Sequence, residues 1–175
     1  MSGVRVSALP PKCMVSLKGD VSTTSVGFAV KKATGLDVPE AGRAVSNEET
    51  TAIWMAPDEL LILCPRDGVD QVLDKITSAM GDAHFLAADV SDARVVFFLS
   101  GEDAMVREVL ARLTPADMHP DSFKAGQVRR TRLSQVAGAI WMTEDGAQVL
   151  AFRSVAGYVH DLLTNAAASG PVGHF

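Results

Sequence analysis

Residues 89–114 read DVSDARVVFFLSGEDAMVREVLARLT, and this stretch decides the fold. The short polar side chains of Asp89, Ser91 and Asp92 suit a turn that bonds its own backbone. Arg94 leads into Val95-Val96-Phe97-Phe98-Leu99, an apolar run of strand length, which suits a strand buried on both faces near the middle of a sheet. Ser100, with Asp103 three residues later, has the spacing of a capping box. Val106, Val109, Leu110 and Leu113 then fall on one helical face. Pro115 stops the helix by disfavouring helical geometry in Thr114. The unit is strand, turn, helix.

Upstream, residues 1–12 contain Pro10-Pro11 and are expected to be an extended arm. Residues 13–17 (CMVSL) form a strand stopped by Gly19-Asp20. The cluster at 22–25 caps a helix through Phe28, Val30 and Ala33, ended by Gly35. Residues 37–47 are expected to be an exposed loop. Residues 50–55 and 60–63 are strands joined by the tight turn Ala56-Pro57-Asp58-Glu59. Asp67 is placed to cap a helix carrying Val69, Val72, Leu73, Ile76 and Met80, and Gly81 ends it. Residues 84–90 return as a strand.

Downstream the same order recurs. The strand at 95–99 and the helix at 103–113 precede a strand at 127–135. A hairpin of 139–143 with 148–153 follows, with Asp145-Gly146 as a type I′ turn signal. Ser154 is placed to cap a last helix that turns Val155, Tyr158, Val159, Leu162 and Leu163 inward. The tail, 169–175, is expected to be mobile. The fold class is therefore α+β, two ferredoxin-like split βαβ halves packed together. They form one compact domain over 13–168, divided near residue 90 (about 13–90 and 91–168).

Bulk properties narrow the function. In 175 residues the hydrophobic share is 47%, the net charge −5 and the pI near 5.3. That acidity argues against a general nucleic-acid binder. No apolar run approaches the roughly 20 residues that span a bilayer, and the N-terminus lacks the apolar core of an export signal. Cys13 and Cys64 have no metal-ligand spacing and suit buried reduced thiols. A cytoplasmic protein is the simplest account. The apolar share fits either a well-filled core or a surface buried against a partner.

No constellation points to chemistry. Asp89 and Asp92 have the proximity of an acid–base pair, but turn aspartates are far commoner. His84, His119, His160 and His174 are scattered, without the spacing of a metal site. No glycine-rich phosphate loop follows a strand. Hence no catalytic or metal residue is assigned. Arg129, Arg130 and Arg132 are the most suggestive cluster. On a strand Arg130 and Arg132 share a face and Arg129 points the other way. They would grip carboxylates of a ligand or partner, or simply keep a strand edge solvated. Trp54 suits a core or interface anchor. Trp54, Arg129, Arg130 and Arg132 are the candidate partner or ligand contacts.

Several blocks carry a family likeness. Residues 54–61 (WMAPDELL) resemble a segment of sarcosine oxidase gamma subunits. The blocks 89–94 (DVSDAR), 100–104 (SGEDA), 115–120 (PADMHP), Gly126-Gln127 with Thr131 and Leu133, and 152–156 (FRSVA) resemble later segments of that family, in order. The resemblance implies an accessory, non-catalytic gamma subunit of the heterotetrameric enzyme that oxidatively demethylates sarcosine to glycine, with tetrahydrofolate as one-carbon acceptor. It implies alpha, beta and small delta subunits as partners, and it implies that FAD, FMN, NAD, zinc and tetrahydrofolate are held by partner subunits and none by this chain alone. It also implies a fold similar to the folate-binding domain of glycine-cleavage aminomethyltransferases. Those enzymes carry an aspartate near a glycine-rich strand start. Gly138-Ala139-Ile140-Trp141 has none here, and no catalytic residue carries over. The alternatives are a stand-alone folate-binding or aminomethyltransferase-like protein, and a folate-sensing or assembly module.

Overall fold

A computed structural model describes residues 3–170, 172 and 173. The chain divides into two compact units. One is continuous, Pro11–Asp92, and the other joins Met1–Pro10 to Ala93–Phe175. The extended stretch at the N-terminus contains β1 (Arg5–Ala8), a strand of the discontinuous unit.

The continuous unit runs β2 (Cys13–Lys18), α1 (Thr24–Thr34), β3 (Ala44–Ser46), β4 (Thr51–Ala56), β5 (Glu59–Cys64), α2 (Val69–Met80) and β6 (Leu86–Asp89). Its strands form one antiparallel sheet in the order β3-β4-β5-β2-β6. All six residues of β5 are buried, Glu59 included, and the apolar run 60–64 is what a central strand requires. The Thr23 hydroxyl accepts the Val26 N–H at the start of α1, and Gly35 (φ 74°) ends the helix by bonding Lys31 O. Val26, Ala29 and Val30 of α1 meet Val72, Ile76 and Met80 of α2 over Val15, Leu17, Leu60 and Ile62. Full burial of each Val, Leu, Ile or Met side chain among them is worth about 1.5–3 kcal/mol.

Three details differ from the sequence expectation. The loop at 37–47 contains β3, held as a short edge by pairing with β4. Asp67 does not cap α2; Gly68 occupies that position without a side-chain bond. Phe28 lies on the exposed side of α1, where Lys32 sits 5.9 Å from its ring.

The discontinuous unit continues from β1 with β7 (Arg94–Ser100), α3 (Asp103–Ala111), β8 (Val128–Leu133), β9 (Val136–Thr143) and β10 (Gly146–Phe152). A 3-10 turn (Arg153–Val155) and α4 (Ala156–Ala168) follow. Its antiparallel sheet has the order β1-β7-β10-β9-β8. This is the order of the first sheet, strand for strand, with β7 in the place of β2 and β10 in that of β5. β1 takes the place of β6, so the closing strand comes from the other end of the chain. Phe97, Leu99, Val106, Leu110, Phe123, Ile140, Val149, Val159 and Leu163 fill the core between sheet and helices.

Here too local chemistry departs from expectation. Glu102 rather than Ser100 precedes α3, without a side-chain cap, and Ser154 does not cap α4. The buried stripe of α4 is Val159, Leu163, Ala166 and Ala167. Tyr158, one residue off that stripe, points out and is 45% exposed. Gly146 pairs with Thr143, so Glu144 and Asp145 form the hairpin loop. Neither has a positive φ, which rules out type I′. Gly146 matters for another reason: its φ is 142°, and a Cβ there would sit 2.1 Å from Leu99 O. Of the tail, residues 171, 174 and 175 lie outside the described residues, His174 among them. The backbone N–H groups of Val172 and Gly173 each donate to the Glu108 carboxylate at 2.5 Å.

Candidate interaction surface

The arginine strand β8 is an edge of its sheet; after the buried Val128 its burial alternates from Arg129 to Leu133, as a strand with one covered face should. Arg130 and Arg132 are exposed on one face; Arg129, Thr131 and Leu133 lie on the other. Arg129 is committed within the unit. Its Nη2 donates to Ser122 O (2.6 Å) and Oγ (3.2 Å), and its guanidinium stacks 4.9 Å over the Phe123 ring.

Those contacts fix the irregular segment between α3 and β8, and a second arginine does the same from below. Arg107 is only 5% exposed. Its Nη1 donates to Met118 O (2.9 Å) and Phe123 O (2.8 Å), and its Nε to Asp103 Oδ2 (2.7 Å). A buried guanidinium is tolerated where its donors are met in this way. Met118 and Phe123 plug the segment into the core. At its surface, the His119 backbone N–H and the Ser122 hydroxyl hold the Asp117 carboxyl below its ordinary range. The charges of His119 and Arg129 act in the same direction. The sequence carried one sign of Arg107, its i,i+4 spacing from Asp103, but that spacing ordinarily marks a solvated helix face.

The turn before β7 is structural as well. The Ser91 hydroxyl donates to Asp89 Oδ1 (2.5 Å) and accepts the Met14 N–H (2.9 Å). The Ser91 side chain first, then its backbone N–H, keep the Asp89 carboxyl below the ordinary range. Asp89 thus closes β6 and Asp92 lies in the turn that follows it. Gly138, within the strand start that lacks an aspartate, is explained by packing, since a Cβ there would lie 3.1 Å from Leu150 O and from Leu133 Cδ1.

Two blocks distant in sequence meet at one corner of the discontinuous unit. Phe152 pairs with Arg94 across β10 and β7, and the Arg94 guanidinium stacks 4.8 Å from the Phe152 ring. The Arg153 N–H donates to Ala93 O and its Nη2 to Arg94 O, each at 2.9 Å. Phe152 is nevertheless 44% exposed, and Tyr158 follows on the first turn of α4. Aromatic and arginine side chains held rigidly at a surface are the residue types enriched at energetic centres of interfaces. Trp54 is placed differently: it is half-buried against the α1–α2 core of the continuous unit, and its backbone N–H donates to Arg43 O. Trp54 thus belongs to the continuous unit and the three arginines to the discontinuous one, where Arg129 lies on the face of β8 opposite to Arg130 and Arg132.

Among the described residues no group of three or more His, Cys, Asp and Glu side chains gathers as a metal site. Among them, too, no helix is long and apolar enough to cross a membrane.

Comparison with known proteins bears on what such a surface serves. A sarcosine oxidase subunit gamma of Corynebacterium sp. (strain P-1) is 32% identical over 122 residues, 68% of this chain and 58% of that protein. The matched stretch is thus little more than half of the relative's length. Among solved structures, a chain of the heterotetrameric sarcosine oxidase from Corynebacterium sp. U-96, in complex with pyrrole 2-carboxylate, superposes with a TM-score of 0.83 at 26% identity. That match covers 94% of this chain and 84% of the other. The glycine cleavage system aminomethyltransferase T from Bartonella henselae shares the fold, with a TM-score of 0.66 at 12% identity over 93% of this chain and 45% of that one. The model of the sarcosine oxidase, gamma subunit family matches residues 18–169. This chain belongs to the sarcosine oxidase gamma subunit family.

Proposed function

We propose that this chain is the accessory gamma subunit of a cytoplasmic heterotetrameric sarcosine oxidase. It works docked on the larger alpha and beta subunits, beside the small delta subunit. The complex demethylates sarcosine oxidatively to glycine, with tetrahydrofolate as one-carbon acceptor. FAD, FMN, NAD and zinc belong to the partner subunits. The observation that supports this most is the likeness to a chain of a heterotetrameric sarcosine oxidase over 94% of the present chain. The side chains described above agree with a docking role. The buried arginine and carboxylates serve the fold, whereas Phe152 and Tyr158 stand at the surface. Arg130 and Arg132 on β8 and Trp54 on β4 are further candidate contacts, with Arg129 acting through the segment it fixes.

Co-expression with the cognate alpha and beta subunits, followed by size-exclusion chromatography, tests the proposal. The chain is expected to co-elute with them, and to be colourless and inactive toward sarcosine when purified alone. Separate elution at micromolar concentration, with full sarcosine oxidation by the other subunits, would overturn it. So would flavin absorbance on the isolated chain.

A further inference from the structure

Cys13 opens β2 and Cys64 closes β5, and the ladder sets them directly opposite one another. Opposed residues of antiparallel strands have Cα atoms about 4.5–5.5 Å apart, within the roughly 4.4–6.8 Å that a disulfide spans. Both side chains enter the same face of the sheet, in the core beneath α1 and α2. Each sulfur also leans over the other's strand. The Cys13 thiol donates to Arg66 O at 2.8 Å, two residues beyond Cys64. The Cys64 thiol points at Cys13 O, 3.7 Å away. The pair sits at the last rung of the ladder, so closing the Cβ separation by about 1 Å strains only a strand end.

The two thiols are not equivalent. Cys13 is 6% exposed and Cys64 is 0% exposed. Burial pushes the Cys64 thiol up to about 11, and the neighbouring Cys13 adds to the effect. Cys64 therefore rests as a protonated, enclosed thiol, and an oxidant reaches Cys13 first.

We propose that Cys13 and Cys64 form a dithiol site that a small disulfide oxidises to an intrachain bond, Cys13 entering first and Cys64 resolving. In the first step the Cys13 thiolate attacks one sulfur of the reagent. The reagent's S–S bond breaks, one of its thiolates leaves, and a mixed disulfide forms on Cys13. Cys64 then releases its proton and attacks the Cys13 sulfur, expelling the second reagent thiolate. Two protein thiols are oxidised, one small disulfide is reduced to two thiols, and nothing else is consumed.

The test uses the folded chain with hydroxyethyl disulfide as probe, read by intact mass and by peptide mapping after alkylation. The wild-type chain is expected to lose two hydrogens, to yield one peptide joining residues 13 and 64, and to recover on reduction. Cys64→Ser is expected to stop at a hydroxyethyl adduct on Cys13, and Cys13→Ser to take up no adduct. The wild-type map does not depend on either variant folding. Adducts on both cysteines, or a bond between two chains, would overturn the assignment. So would thiols that stay reduced in the folded chain while the same reagent modifies them in urea.

Discussion

Substituting Gly146 by alanine should cost more than any surface change in this chain. The residue begins β10 with φ 142°, a conformation that L side chains rarely adopt. Holding a side chain there costs about 1–3 kcal/mol. The added methyl carbon would also sit 2.1 Å from Leu99 O and 3.2 Å from its carbonyl carbon. Both are backbone atoms of β7, so no rotamer change relieves the overlap. Either β7 or β10 must shift by more than an ångström, next to the Ala147–Leu99 rung of the ladder. Losing one ladder bond adds about 1 kcal/mol. The sum is about 2–4 kcal/mol, which for a chain of this size lowers Tm by about 5–15 °C. Urea and thermal unfolding of the isolated chain measure it, with Gly157→Ala as reference. Gly157 is in α4 with nothing within 4 Å of its added Cβ, and alanine there should stabilise by about 0.5–1 kcal/mol. Equal midpoints for Gly146→Ala and the wild type would mean that β10 does not approach Leu99 as described, and the reasoning would fail.

Arg107→Ala strands the carbonyls of Met118 and Phe123. It should cost about 2–4 kcal/mol, with raised hydrogen exchange confined first to residues 114–126. Asp89→Ala should cost about 0.5–1 kcal/mol at neutral pH, the net worth of exposed hydrogen bonds. The Asp89 pKa is depressed on folding, so its contribution is complete above the unfolded value near 3.8 and disappears as pH falls through the lower folded value. The wild type and the variant should therefore converge in unfolding titrations below pH 3.8; a constant gap would refute the assignment. Tyr158→Ala should leave the Tm of the isolated chain within the equivalent of about 0.5 kcal/mol, yet weaken co-elution with the partner subunits, by roughly tenfold in Kd if Tyr158 is an anchor. Deleting residues 1–9 bares the edge of β7 and should promote aggregation, read by light scattering.

What the sequence disclosed follows from how locally each element is specified. β2, β4, β5, β7 and the helices were legible because their apolar residues recur with the right period and are bounded by turn residues. The alternation that separates Arg129 from Arg130 and Arg132 was legible for the same reason. β1 was not: its four residues are half-exposed, and its partner lies more than ninety positions away at Leu99 and Ser100. β3 is equally short, and only its pairing with β4 defines it. Arg107 and Glu108 carry charges that suggest a solvated helix face. Their burial depends on the carbonyls of Met118 and Phe123 and the N–H groups of Val172 and Gly173, which no local pattern announces. The caps assigned to Ser100, Asp67 and Ser154 failed because a capping side chain competes with whatever tertiary packing dictates at a helix entrance. Phe152 and Tyr158 were read as parts of a motif and a helix face, and their exposure appeared only once the strands were in register.

The pairing of β1 with β7 makes the continuous unit, residue 11 to residue 92, an insertion between two strands of one hairpin. During synthesis that inserted unit is complete while β7 is still inside the ribosome. At about 5–20 residues per second, Arg5–Ala8 waits several seconds for its partner to emerge. The wait is not spent as a slack chain. β2 and β6 are neighbours, with the Val90 N–H bonded to Met14 O, so the folded insertion holds its own entry and exit side by side. A connection of some eighty residues then closes like a short one, and most of its loop entropy has already been spent when β7 arrives. Replacing residues 11–92 by a short turn should leave Arg5–Ala8 able to find Arg94–Ser100 at once, whereas unfolding the insertion in place should slow that pairing. The fold therefore has an intrinsic order of assembly, set by which half carries the chain across the gap.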